Sequence, residues 1–212
     1  MIMSKKYYLS ALLLLSIALL SFQSSLAQSL IQSTMLSKGD KAPVFTAEAS
    51  LAGKEFTFSL KEALSKGPVV VYFYPAAYTG GCDLEAHTFA ELSDQFTAAG
   101  ATIIGVSADN IARLNVFSAD PEFCSGKFAV SSDPDGDIAR TYGLKMMPPK
   151  SGVKDIHGKP VDHGFLPRTT FVINAEGTIV AVFSSTMDQI APDEHVKESL
   201  AIVKQLNAGK PS

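Results

Sequence analysis

Five consecutive residues, Val69-Val70-Val71-Tyr72-Phe73, place no charged or small polar side chain at any position. A strand with one face in water alternates apolar and polar residues, so a run without alternation predicts a strand covered on both faces. Such a strand needs helices packed on either side of its sheet. The chain supplies them in alternation. After a short loop comes Cys82, and the stretch that follows it places Phe89, Leu92 and Phe96 at helical spacing before Gly100. Ala101 to Val106 reads as a second buried strand and Asn110 to Phe117 as the next helix. Phe128 to Val130 predicts a short strand ahead of the turn Ser132-Asp133-Pro134-Asp135-Gly136, and Asp137 to Tyr142 a short helix ended by Gly143. Thr169 to Ile173 and Thr178 to Phe183 flank Asn174-Ala175-Glu176-Gly177, a hairpin signal. Pro192, followed by Asp193 and Glu194, opens a helix to Leu206. Nearer the N-terminus, Ala52 to Leu60 turns at Gly53-Lys54 and alternates Phe56, Phe58 and Leu60, predicting an early hairpin. Crossovers and hairpins together predict an α/β domain with a central mixed sheet flanked by helices and an N-terminal hairpin extension.

The first 27 residues read differently. Lys5 and Lys6 precede the apolar run Leu9 to Phe22, and Ser25-Leu26-Ala27 ends in the small residues of a cleavage site, so residues 1–27 are expected to be a signal peptide. The run is short for a membrane span. The expected organisation is a leader over 1–27, a flexible stretch over 28–37, a folded domain over 38–207 and a tail over 208–212. Export to the periplasm or the exterior follows, with no stable membrane association after cleavage. Removal of Lys5 and Lys6 leaves 16 of the 18 basic side chains against 21 acidic ones, a net charge of −5. That balance provides no basic surface for nucleic acid. Disulfides persist outside the cytosol, but two cysteines are too few for a disulfide-dependent scaffold.

Cys82 stands where a buried strand hands over to a helix, beside N–H groups without intrahelical partners. Those groups favour a thiolate, so its pKa is expected to fall. Thr79, three residues earlier, is spaced to contact the sulfur or an oxygen bound beside it, although a threonine here also suits a plain helix cap. Gly80 and Gly81 are expected to let the backbone turn tightly. Pro75 ends the strand without an N–H and can wall a pocket. Arg168, immediately before a strand, is the candidate positive group, permanently charged and carrying a rigid fork of donors. Taken singly, Cys82 suits an inert core position and Arg168 a solvated surface charge.

Pro75-Ala76-Ala77-Tyr78-Thr79-Gly80-Gly81-Cys82 resembles the Pro-x-x-x-Thr-x-x-Cys motif of the peroxiredoxins, thiol peroxidases of the AhpC/TSA superfamily with a thioredoxin-like fold. The likeness extends through KGDKAPVFTAEASLAGKEFTFSL, ATIIGVSADN, SSDPDGDIARTYG and RTTFVINAEGTI, and its pattern is closest to the bacterioferritin-comigratory, or Q-type, branch. The resemblance implies that Cys82 attacks hydrogen peroxide or an organic hydroperoxide, that Thr79 bonds the peroxide, that Pro75 shields the site and that Arg168 activates the thiolate. It implies no metal or organic cofactor. Many members of the branch carry a resolving cysteine five residues after the first, where this chain has His87. A surface or structural role is expected for His87, and resolution then falls to Cys124, in the turn-rich stretch Ser118–Gly126, or to an outside thiol. A Cys82–Cys124 disulfide, reduced by thioredoxin or another dithiol, is the expected second half of the cycle, in a monomer or a weak dimer.

Two other functions share this fold class. A thioredoxin-like disulfide reductase needs Cys-x-x-Cys, but Asp83, Leu84 and Glu85 follow Cys82. A copper-delivery protein would need a cysteine at Ala86, and Met146, Met147, His157 and His163 lack a ligand spacing that replaces it. Those four belong to the irregular stretch Leu144–Pro167, whose length predicts a functional or mobile loop.

Overall fold

The computed structural model describes residues 34–208. The expected leader, residues 28–33 of the stretch after it, and residues 209–212 of the tail lie outside the described residues. Within them the chain forms β1 (Thr46–Leu51), β2 (Lys54–Ser59), α1 (Leu60–Leu64), β3 (Val69–Phe73), α2 (Gly80–Ala98) and β4 (Thr102–Ser107). There follow α3 (Ile111–Ala119), β5 (Ala129–Ser132), α4 (Asp137–Thr141), β6 (Thr169–Ile173), β7 (Ile179–Ser184) and α5 (Pro192–Ala208). The strands make one sheet in the order β2-β1-β5-β4-β3-β6-β7. The central strands β5, β4 and β3 run parallel, and antiparallel pairs flank them on both sides. The sheet is mixed, as expected.

The unbroken apolar run of β3 has a simple cause. Its side chains alternate between two faces, and each face meets its own core. Val70 and Tyr72 join Phe89 and Phe96 of α2, Leu114 and Phe117 of α3, and Val196 and Leu200 of α5. Val69, Val71 and Phe73 join Leu60, Tyr142, Leu144 and Leu166 on the opposite face. All five β3 side chains are buried. Each fully buried large apolar side chain contributes about 1.5–3 kcal/mol, so the middle strand anchors both layers. Helix α2 ends where Gly100 takes φ +71, with the Ala101 N–H donating to the Phe96 carbonyl at 2.9 Å.

Two local expectations change, at Leu60 and at the start of the domain, while the expected hairpin extends the sheet. Leu60 is the first residue of α1 rather than the continuation of a strand. The Glu62 N–H donates to Ser59 Oγ at 3.3 Å, a cap that ends β2 and starts the helix. Five residues are too few to display helical periodicity, and Leu60 happens to continue the alternation of Phe56 and Phe58. The hairpin is a part of the main sheet, since Ala49 and Ser50 of β1 pair with Ser131 and Val130 of β5. The fold also begins before Lys38. Met35 and Leu36 pack on the second core, and the Leu36 N–H donates to the Tyr142 carbonyl at 3.1 Å.

Gly105 of β4 lies against the Tyr72 ring, and a Cβ there would sit 2.7 Å from Tyr72 Cζ. Tyr72 is 1% exposed and stacked between Tyr74 and Phe89, so it has no room to yield. Gly105→Ala is expected to cost about 1–3 kcal/mol by overpacking, read as a lower urea midpoint with an unchanged slope.

Candidate active site

The segment after β3 is held at its backbone before any side chain is considered. Ala77 donates its N–H to Asp109 Oδ2 at 2.8 Å, and its carbonyl accepts from Arg113 Nη2 at 2.8 Å. The next residue, Tyr78, takes φ +60, a left-handed conformation uncommon for a residue with a bulky side chain. Packing holds it there. Its ring lies edge-on to Phe117, Phe123 and His157, with the Arg113 guanidinium 5.3 Å from the ring centre. Neither Gly80 nor Gly81 has positive φ; both lie in the first turn of α2. Gly81 has a different reason to lack a side chain. A Cβ there would stand 3.2 Å from Arg168 Nη2 and 3.4 Å from Pro192.

This frame brings Thr79, Cys82 and Arg168 together. Thr79 occupies the N-cap position of α2 without making a side-chain cap bond. Its hydroxyl lies 2.8 Å from the Ala76 carbonyl and 3.2 Å from Cys82 Sγ. The cap reading of Thr79 therefore does not hold. Arg168, directly before β6, directs Nη2 to Cys82 Sγ at 3.1 Å and is not a solvated surface charge. Pro75 is half-buried just past the end of β3. The Cys82 N–H itself donates to the Thr79 carbonyl at 2.7 Å.

The expected fall in the Cys82 pKa is not what the pocket produces. Cys82 is 2% exposed, and burial pushes its thiol above the usual range. Arg168, then the Ala76 backbone and Thr79, oppose that rise without cancelling it. The desolvation of a thiolate outweighs the donors aimed at it in this closed arrangement.

Glu85 is the functional side chain that the linear sequence hid. One turn beyond Cys82 on α2, it is fully buried, and its Oε2 pairs with Arg168 Nη1. The guanidinium fork thus holds a sulfur on one nitrogen and a carboxylate on the other. Burial raises the Glu85 pKa to about 7 against the pull of Arg168. Behind it, on α5, lies buried His195, hydrogen-bonded through Nδ1 to Thr170 Oγ1 and through Nε2 to Ser185 Oγ, both at 3.0 Å. Burial and then Arg168 depress the His195 pKa to about 4. Burial rather than spacing sets Glu85 apart, so the linear sequence carried no signal for this layer.

Cys124 lies in the turn between α3 and β5, fully buried, and belongs to the same apolar cluster as Cys82. Both cysteines are free thiols. Burial, then the charges of Asp120 and Asp83, push the Cys124 thiol well above its usual range. His87 is exposed, and its Nδ1–H donates to the Glu122 carbonyl at 2.9 Å, tying α2 to the turn that carries Cys124.

The long loop Leu144–Pro167 is pinned to the same frame. Asp155 accepts from Arg113 Nη2, and His163 Nε2 meets Asp109 Oδ1, both at 2.9 Å. Among the described residues no group of three or more His, Cys, Asp or Glu side chains is placed to hold a metal ion. A cleft of about 760 Å³ opens between this loop and α3, lined by Tyr78, Arg113, Val116, Asp155 and His163, but not by Thr79, Cys82 or Arg168.

The AhpC/TSA family pattern matches residues 38–182. The chain belongs to the AhpC/TSA family. It is 36% identical over 149 residues to a putative peroxiredoxin of Mycobacterium tuberculosis, covering 70% of this chain and 85% of the relative. It is 31% identical over 173 residues to the chloroplastic peroxiredoxin Q of Populus jackii, covering 81% and 70%. Among solved structures, peroxidoxin BcpB of M. tuberculosis superposes with TM-score 0.63 and 29% identity, covering 83% of this chain and 99% of that one. Xanthomonas campestris peroxiredoxin Q gives TM-score 0.57 and 30% identity over 76% of this chain and 90% of that one. The expected thioredoxin-like architecture of that family is the one observed.

The Asp109 network carries its own pH signature. Burial lowers the His163 pKa, but its hydrogen bond to Asp109 and that group's charge outweigh burial, leaving the pKa raised above 6.5. A raised histidine pKa stabilises the fold fully below the unfolded value and is lost as pH rises through the folded one. The stability advantage of the unsubstituted protein over His163→Gln should therefore be greatest below about pH 6.5 and shrink above it. Urea unfolding across that range measures it, and a difference that grows with pH contradicts the assignment.

Proposed function

We propose that this chain is a thiol peroxidase that reduces hydrogen peroxide and organic hydroperoxides through Cys82. The observation that carries the reading is the convergence on one sulfur of Arg168 Nη2 at 3.1 Å and the Thr79 hydroxyl at 3.2 Å, at the first turn of a helix. A lone buried cysteine needs neither. Family membership and the relatives' names support the same chemistry.

In this reading the Cys82 thiolate attacks the terminal peroxide oxygen. The S–O bond forms as the O–O bond breaks, and the departing oxygen takes a proton to leave as water or an alcohol. Cys82 becomes a sulfenic acid. Arg168 stabilises negative charge on the sulfur and then on the leaving oxygen, while the Thr79 hydroxyl orients the peroxide. Pro75 shields the site. No metal or organic cofactor takes part.

Cys124 resolves the sulfenic acid, its sulfur displacing water to form a Cys82–Cys124 disulfide. An external dithiol, thioredoxin or a protein like it, restores both thiols. Both cysteines are buried, so the external dithiol reaches the disulfide only when the first turn of α2 or the Cys124 turn moves. In this reading residues 1–27 are a leader that exports the enzyme from the cytosol, and it acts outside as a monomer or weak dimer.

Cys82→Ser should abolish peroxide consumption with the fold retained. Arg168→Met removes a charge-assisted bond worth about 1.5–3 kcal/mol and should lower kcat/KM by roughly tenfold to a hundredfold. Cys124→Ser should consume one equivalent of peroxide in a stopped-flow burst and then stall with thioredoxin. Recycling of that variant at the unsubstituted rate would exclude Cys124 as the resolving thiol.

A further inference from the structure

Asp83 follows Cys82 directly, in the first turn of α2, and the proposed chemistry gives it no part. Its side chain is half-buried, and Oδ1 is shut off from solvent without a hydrogen-bond partner. A carboxylate oxygen buried and unpaired costs free energy that the same group does not incur in water. An ordinary first-turn aspartate is exposed and supports its helix. This one is held partly out of water beside the proposed nucleophile.

The charges around it offer little compensation. The groups that face Asp83 come from three elements: Arg113 from α3, His157 from the long loop and Cys124 from the turn after α3. Arg113 is already divided between Asp109 and Asp155, each at 2.9 Å. His157 is exposed, lies edge-on to the Tyr78 ring with centres 4.8 Å apart, and is a cation only when protonated. Asp120 acts on Cys124 from the same turn and is a further acid, not a cation. Tyr78, whose pKa burial raises, stays neutral. Burial outweighs the Thr79 and Tyr78 N–H groups, which favour the ionised form, and lifts the Asp83 pKa to about 6.

We infer that ionised Asp83 is a positioning residue that loosens the first turn of α2 and so gives outside thiols access to Cys82. The turn is lightly held at this end. The Cys82 and Asp83 N–H groups share one acceptor, the Thr79 carbonyl, at 2.7 and 3.0 Å, and Tyr78 just before it carries φ +60. Opening solvates Oδ1 and lets that peptide relax. The inference deepens the peroxidase reading, in which an external dithiol must reach a sulfur that is 2% exposed. Linkage fixes the direction. The closed turn holds the proton more tightly than an ordinary aspartate, about 6 against 3.8, so acid closes it. Opening releases the proton, so the open form gains as pH climbs from about 4 to about 6 and levels off above that.

Hydrogen exchange of the Cys82 and Asp83 amides in the reduced protein, followed by NMR and corrected for intrinsic exchange, measures the opening. Protection should fall about tenfold from about pH 4 to about pH 6.5 and then stay level, half-burial reducing the hundredfold of a full two-unit shift. His163, with its pKa raised above 6.5, keeps one charge state across that window. Asp83→Asn keeps an oxygen acceptor but cannot ionise, so its protection should be flat there, and higher than the unsubstituted protein's at the upper end. Protection that is flat or rises with pH in the unsubstituted protein overturns the inference, and so does an unchanged fall in Asp83→Asn. His157→Gln should leave the fall in place; its loss there would assign the switch to the histidine instead. A second readout is chemical. In Cys124→Ser protein oxidised with one equivalent of peroxide, dithiothreitol should restore the Cys82 thiol about tenfold faster at about pH 6.5 than it does when Asp83→Asn is added, an advantage that shrinks toward about pH 4. A carboxylate that only repels an incoming thiolate would slow that step, and a slower or equal rate counts against the inference. The exchange measurement needs no peroxide. Opening that follows Asp83 in a protein that consumes none would stand while the peroxidase reading fell, and peroxide consumption with flat exchange would do the reverse.

Discussion

One guanidinium divided between a sulfur and a carboxylate organises this site. Arg168 comes from the edge of β6, Cys82 and Glu85 from successive turns of α2, and the fork joins sheet to helix at the place where chemistry is proposed. Planarity matters here as much as charge. The two terminal nitrogens of an arginine point in fixed directions, so the position of the carboxylate fixes the aim of the other nitrogen at the sulfur. A lysine has a single ammonium and cannot impose that relation. The bare backbone of Gly81 leaves the guanidinium room to approach.

The fork would be ineffective if the loop between β3 and α2 wandered. That loop is tied by its backbone, with both polar groups of Ala77 committed to Asp109 and Arg113. The same two side chains hold the long loop through His163 and Asp155. Tyr78 accepts an unfavourable backbone angle because its ring is packed on several sides. Local strain of this kind persists only where the surroundings over-determine it.

Much of this was legible in the sequence, for identifiable reasons. The two-sided burial of β3 follows from an unbroken apolar run, and the start of α2 from the loop that precedes Cys82. Arg168 was recognisable because a permanent charge directly before a buried strand is unusual enough to demand a partner. Glu85 was not, because three-dimensional burial rather than spacing makes it special, and a glutamate on a helix normally faces water. The thiol shift was misjudged for a related reason. A helix N-terminus can be read from sequence, but the desolvation that opposes it depends on Phe, Tyr and Val side chains gathered from distant segments. The tight turn was expected at Gly80 and Gly81, whereas the left-handed residue is Tyr78, held there by packing.

Asp109 accepts from Ala77, Ser107 and His163 and forms an ion pair with Arg113 Nε at 2.9 Å while fully buried. Two segments far from Asp109 in sequence, around Ala77 and around His163, therefore converge on one carboxylate beside its near neighbours Ser107 and Arg113, and neither can swing outward without weakening that group's compensation. The loop before Cys82 and the long loop are thus tied through one buried group, so opening either disturbs the other. Any partner that prises up the long loop would at the same time loosen the peptide that precedes Tyr78. Access to the buried sulfur and order in a loop some eighty residues away are thereby written into the same side chain.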